Sequence, residues 1–118
     1  MAKNSSQVWA FTEAGPQEGV SAPAQTTIGT TAVTLLAANP LRRGLIIANT
    51  GLTVIKLVLG LGTPTQTVYH LPLKACAVAD DGSGGTYIDD AWTGAVQVIS
   101  SGVGGTVVTT EILATSTD

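Results

Sequence analysis

Few residues in this chain can do chemistry, and each comes without the company that catalysis requires. His70 is the single histidine. A catalytic triad needs a nucleophile, a base and an orienting acid. His70 instead sits mid-strand, two residues before Pro72, with no nucleophile-elbow motif beside it, and reads as a solvated or interface histidine. Cys76 is the single cysteine. A reactive thiol needs a base and an electropositive setting. Lys74 is near, but Ala75 and Ala77 flank the thiol, which fits a small hydrophobe in a loop. The run Asp80-Asp81-Gly82-Ser83-Gly84-Gly85 resembles a calcium loop only briefly. Such loops alternate acid and spacer and close with a Glu at the twelfth position, whereas here the acids are adjacent and the twelfth position is Ala91. Asp89-Asp90 ends a strand, where two like charges splay into water. The glycines at 82, 84 and 85 precede a short strand, not the helix that a phosphate-binding loop needs. No catalytic, cofactor-binding or metal-binding residue is therefore assigned, and an enzyme is not expected.

What remains is Arg42-Arg43, the only adjacent basic pair. It stands between the turn Ala38-Asn39-Pro40-Leu41 and the apolar run Gly44-Leu45-Ile46-Ile47, which Asn49-Thr50-Gly51 stops. Guanidinium groups fork onto carboxylates and carbonyls. The pair either meets a partner from a solvated strand end, or pins its own loop through Asp89, Asp90 or a carbonyl.

The elements that would position these residues are strands. From Ala24 onward, short runs rich in Val, Ile, Leu and Thr alternate with Gly, Pro, Asn and Asp, the signature of β-structure. Strands are expected near 24–28, 31–37, 44–50, 53–59, 66–73, 86–89, 94–100 and 105–112. Period two recurs. It places Ile55, Leu57 and Leu59 on one face opposite Lys56, and Tyr69, Leu71 and Leu73 inward with His70 and Pro72 outward. It also turns Val96 and Val98 in and Gln97 out. Asn49-Thr50-Gly51-Leu52 reads as a tight hairpin, its glycine supplying the positive φ that such turns need. About eight short strands at this spacing predict an all-β, antiparallel β-sandwich or jelly roll over residues 24–113. Residues 114–118 read as a flexible tail.

Residues 1–23 read as an extended N-terminal arm, broken by Gly15, Pro16, Gly19 and Pro23. Trp9 and Phe11 are two apart, so an extended chain points both rings to one side. They either tuck onto the domain's own core or dock on a neighbouring subunit, where aromatic anchors dominate binding.

Composition narrows the partners. At 118 residues one domain is expected, burying roughly 65% of the unfolded chain's surface on folding. Charged residues are 11% of the chain, well under the usual figure of about 25%. Such a surface is a thin solvating coat, and part of it is expected to face other protein, in a homo-oligomer. A net charge of −3 does not suit a phosphate backbone, which demands clustered cations, so nucleic acid is not an expected partner. One cysteine forms no internal disulfide. No apolar stretch approaches the ~20 residues of a membrane span, and Met1 to Ser6, with one cation and no apolar run, are not expected to be a signal peptide.

The segment Asn39-Pro40-Leu41-Arg42-Arg43-Gly44-Leu45-Ile46-Ile47-Ala48-Asn49-Thr50-Gly51 resembles one in small structural proteins of tailed bacteriophages. There a Thr- and Ala-rich strand leads into N-x-x-R-R-G-L-I-I-x-N-T-G. A second similar element runs from Tyr87–Asp90 through Trp92-Thr93-Gly94-Ala95-Val96 and Ile99-Ser100 to Val107-Val108-Thr109-Thr110-Glu111. The resemblance spans roughly residues 26–112. It departs at Val54-Ile55-Lys56-Leu57-Val58-Leu59-Gly60, where such chains carry a V-Y-V-G-F-G strand. It implies a virion component: a capsid decoration (cement) protein bound to the major capsid protein of its own virus, or a tail, neck or fibre accessory. Its place would be the capsid surface, reached from the host cytoplasm during assembly. A carbohydrate- or host-surface-binding sandwich module is the alternative, since one architecture serves many roles.

Overall fold

The structure, a computed structural model, describes residues 18–114. Nine strands and no helix lie among them: β1 (Glu18–Val20), β2 (Ala24–Ile28), β3 (Val33–Leu36), β4 (Arg42–Asn49), β5 (Ile55–Leu59), β6 (Leu71–Leu73), β7 (Thr86–Asp89), β8 (Val96–Ser100) and β9 (Gly105–Ala114). All pairings are antiparallel. One sheet runs β1-β9-β4-β7, with β2 beside β1 on the same side of β9; the other runs β3-β8-β5-β6. The expected sandwich is the observed fold.

Period-two alternation builds the core between the sheets. Leu45 and Ile47 of β4, Val107 of β9 and Ile28 of β2 meet Ile55, Leu57, Leu73, Val96 and Val98 of the other sheet, all essentially buried. Leu71, Leu59 and Trp92 pack against the margin of this cluster. Val58 and Ile99 point to the other face of their sheet, yet they are buried too. The loop after β5 reaches back over them: Pro64 is fully buried, and the Gln66 amide donates to the Ser100 carbonyl at 2.8 Å.

Four expectations need correction. The 66–73 segment is a strand only over its last three residues. Thr65 Oγ1 accepts the amides of Thr67 and Val68, and the Thr65 amide donates to Val68, so a turn consumes the groups a strand would offer. Tyr69 consequently stands outside, 36% exposed, with Lys56 Nζ 5.4 Å from its ring centroid. Within the span read as an arm, β1 pairs with the end of β9, Glu18 opposite Ala114.

The fourth correction concerns Asn49-Thr50-Gly51, which is no hairpin: β4 and β5 lie in different sheets, and the turn carries the chain across the sandwich. Gly51 does not have a positive φ. Its missing Cβ matters because one would lie 2.9 Å from the amide nitrogen and Oγ1 of Thr106. The buried Asn49 side chain holds the corner. Its amide donates to the carbonyls of Thr53 and Leu73, and its oxygen accepts the Gly51 amide.

Candidate functional site

The structure separates the arginine pair. β4 carries an irregularity at Arg43: Arg42 stands opposite Leu113, while Gly44 stands opposite Ile112. This extra residue is a β-bulge, which re-aims the side chains around it. Arg42 is thereby buried at the end of the sandwich, while Arg43 is exposed.

Arg42 satisfies its guanidinium inside the protein. Nε donates to Glu111 Oε2 at 2.8 Å, Nη2 to the Ala37 carbonyl at 2.8 Å, and Nη1 to the carbonyls of Gly94 at 2.8 Å and Trp92 at 3.4 Å. One side chain thus ties β4, β9 and two loops. Arg42 is withdrawn from any partner, and the loop-pinning alternative describes it. Its ion pair with Glu111 is the only one among the described residues. Arg43 is the member left at the surface. Trp9 and Phe11 lie outside the described residues.

Sequence reading named the wrong acid. Asp89 closes its own turn: Oδ1 accepts the amides of Ala91 at 2.6 Å and Trp92 at 2.7 Å, and the Tyr87 hydroxyl donates to Oδ2. The Tyr87 bond and these amides hold the Asp89 carboxyl below its ordinary range. Burial, then the adjacent Asp89, pushes Tyr87 up to about 12. Glu111 was legible in one respect. It continues the inward stripe Val107, Thr109, Glu111, and a carboxylate at the end of a buried stripe calls for a cation.

The remaining chemical candidates are likewise committed to backbone. His70 Nδ1 accepts the Leu59 amide at 2.9 Å. Cys76 is buried and its thiol points at the Asn49 carbonyl, 3.3 Å away. Asp81 accepts the amides of Val78 and Ser83 and the Ser83 hydroxyl. Those bonds, led by Ser83, lower its pKa. Its oxygens shape a glycine-rich surface turn.

The described residues form no pocket. Leu52, Val78 and Val103 are 61%, 65% and 90% exposed, on three loops at the sandwich end opposite Arg42. Backbone bonds from Asp80 to Thr50 and from Ser101 to Val54 hold these loops together.

These features define the class: an all-β sandwich whose reactive side chains are structural and whose surface is poor in charge. No family model and no curated protein matches the chain. Among solved structures, the chain is similar to one from Bacillus endospore appendages, described as a novel family of disulfide-linked pili. The two share 13% sequence identity at a TM-score of 0.50, over 94% of this chain and 100% of the other. At that identity the likeness is one of fold.

Proposed function

We propose that this chain is a non-enzymatic structural subunit of a multi-copy assembly, and specifically a decoration protein that binds and stabilises the outer surface of a bacteriophage head. The observation that carries the reading is the commitment of His70, Cys76, Asp81, Asp89 and Arg42 to holding backbone. What the surface offers is shape and aliphatic area. The loop tips Leu52, Val78 and Val103 are suited to burial against protein, and Arg43 adds an exposed cation. Many weak contacts add through avidity when subunits associate, so a homo-oligomer bound to the major capsid protein is the expected form. The phage-like turn and strand-end pattern supports the virion part of this reading.

The test is co-sedimentation of the purified protein with heads, and separately tails, of its virus lacking it. Saturable binding to heads, with a higher melting temperature of the shell, is the expected result. Binding to tails alone would move the protein to a tail or neck role, and binding to neither would end the proposal.

The endospore-appendage neighbour supports a second reading, a filament subunit. Covalent linkage is an obstacle to it. A disulfide-linked filament needs at least two cysteines per repeating unit, and this sequence has one, buried. Electron microscopy of the concentrated protein distinguishes fibres from particles. The exposed Tyr69 favours a third reading, sugar binding, which a glycan array tests.

A further inference from the structure

Of the four sheet edges, three carry a device that discourages a further strand and one carries none. An edge offers unpaired N–H and C=O groups, and proteins blunt it with proline, bulges or breaks. The Gly60 amide on the Ala95 carbonyl phases β5 so that Lys56 bonds to β8. Pro72 of β6, opposite Lys56, therefore presents its missing N–H outward. β3 shifts register between Thr34 and Leu36. β1 and β2 divide one side of β9 between them, with Ser21-Ala22-Pro23 in the gap. β7, Thr86-Tyr87-Ile88-Asp89, pairs with β4 in unbroken register and contains neither proline nor lysine. Asp89, its one charge, is turned to the amides of its own turn. The ladder shows which groups of β7 are left over. The Asn49 amide donates to the Gly85 carbonyl at 2.9 Å. From there bonded pairs alternate, so backbone bonds join Tyr87 to Ile47 and Asp89 to Leu45. Thr86 and Ile88 thus turn their N–H and C=O groups away from β4. Among the described residues no bond reaches these groups, and both side chains are exposed, Ile88 to 71%.

We infer that β7 is the edge through which two copies of this chain join, antiparallel, into one continuous sheet. The edge is complementary to itself. A two-fold axis through Tyr87 sets Thr86 of each copy opposite Ile88 of the other, and every outward N–H then meets an outward C=O. The side chains agree with this register. Thr86 and Ile88 share the outer face, where cross-strand pairs of β-branched residues are favourable, and Ile88 loses its exposure. Asp89 and Asp90 come opposite Gly85 and Gly84 of the second copy, so no like charges face each other across the ladder. A net charge of −3 on each copy leaves little long-range repulsion between them. The other edges of a second copy fit less well, being bulged, broken or short of a donor. The contact is small, so it is weak in dilute solution and gains where copies crowd on a shared surface. It lies on the flank of the sandwich, apart from the loop tips at its end, and each contact can form without the other. The inference rests on the multi-copy part of the proposed function and not on the virion part. Purified protein alone tests it, so its failure and a failure to bind heads are separate results.

Amide hydrogen exchange of the full chain, followed by NMR at low and high protein concentration with sedimentation on the same samples, is the test. Where sedimentation reports dimer, the amides of Thr86 and Ile88 should exchange several-fold more slowly than in the monomer. Those of Tyr87 and Asp89, already bonded to β4, should stay protected at both concentrations. Ile88→Pro deletes an outward donor and no bond to β4, and should keep the chain monomeric. Trp92, packed on the core with its indole N–H on the Ala95 carbonyl, monitors folding in the variant. Should the proline disturb Trp92, Ile88→Lys guards the edge with a charge and leaves the backbone intact, with the same loss of dimer expected. A dimer whose Thr86 and Ile88 amides exchange as in the monomer would overturn the inference. So would a dimer indifferent to both variants, or a chain still monomeric at its highest soluble concentration. Full protection of both amides in the monomer would also overturn it, since the chain's own residues would then fill the edge.

Discussion

Arg42 and Arg43 are adjacent in sequence and opposite in consequence. Arg42→Ala strips Glu111 of its cation and leaves three carbonyls without their donor. Glu111 keeps 21% of its side chain exposed, so the loss is about 2–4 kcal/mol, most of it from the abandoned carbonyls. Arg43→Ala removes an exposed charge and should stay within about 0.5 kcal/mol. Urea titrations of the two variants check this, and equal midpoints would remove Arg42 from its structural role. Of the two alternatives the sequence leaves open, loop pinning describes Arg42 and the solvated strand end describes Arg43, a division set by a bulge that cannot be seen in the letters R-R-G. Tyr87 and Asp89 give a second residue-scale prediction. Asp89 is lowered, so its contribution is present above the ordinary carboxylate pKa and is lost as pH falls through the lowered value. Tyr87 is raised to about 12. Folding therefore favours its protonated form, and that contribution is intact below pH 10 and lost as pH rises through about 12. Tyr87→Phe should flatten the alkaline end of the melting-temperature profile, and an unchanged slope would show that Tyr87 does not govern it.

At the level of elements, the corner between β4 and β5 has more control over the fold than its five residues, 50–54, suggest. Asn49→Ala abandons two carbonyls and an amide inside the protein, a loss of about 2–3 kcal/mol. Gly51→Ala drives a methyl into Thr106 and should cost about 1–3 kcal/mol. Had the turn been a hairpin, that substitution would instead have strained φ, so a Thr106→Ala partner, which removes the Oγ1 contact, should relieve part of the cost by double-mutant cycle only in the observed geometry. Ile47→Ala, fully buried in the core, should cost about 2–5 kcal/mol. The strands themselves were legible because alternation at 55–59 and 96–98, and the apolar run at 44–47, report burial directly. The corner was not. Asn-Thr-Gly fits a hairpin and a crossing equally well, and only the long-range bonds to Leu73 and Thr106 decide between them. Tyr69 was misplaced for a similar reason, since Thr65 diverts its neighbours into a turn whose geometry alternation cannot express.

For the whole molecule, the missing charge is the dominant fact. The apolar run at 44–47 does not itself argue for association, because Leu45 and Ile47 belong to the protein's own core. The loop tips Leu52, Val78 and Val103 now carry that argument. Light scattering at micromolar concentration and moderate salt should report an oligomer. Val103→Lys with Leu52→Lys should shift it toward monomer without lowering the melting temperature. An oligomer indifferent to both lysines would place the contact elsewhere. The candidate site was legible only in outline. Sequence located Arg42-Arg43 as unusual, but which arginine meets solvent depends on one extra residue in a ladder.

The pairing of Glu18 with Ala114 has a mechanical consequence. β1 and β9 are antiparallel neighbours whose outer ends leave from the same end of the sheet. A force applied between them opens their ladder one rung at a time, like a zipper. Shearing would load all the rungs together. Such a subunit yields easily when stretched through its two ends. Load carried through its faces and loop tips would bypass this ladder and spread sideways into both sheets.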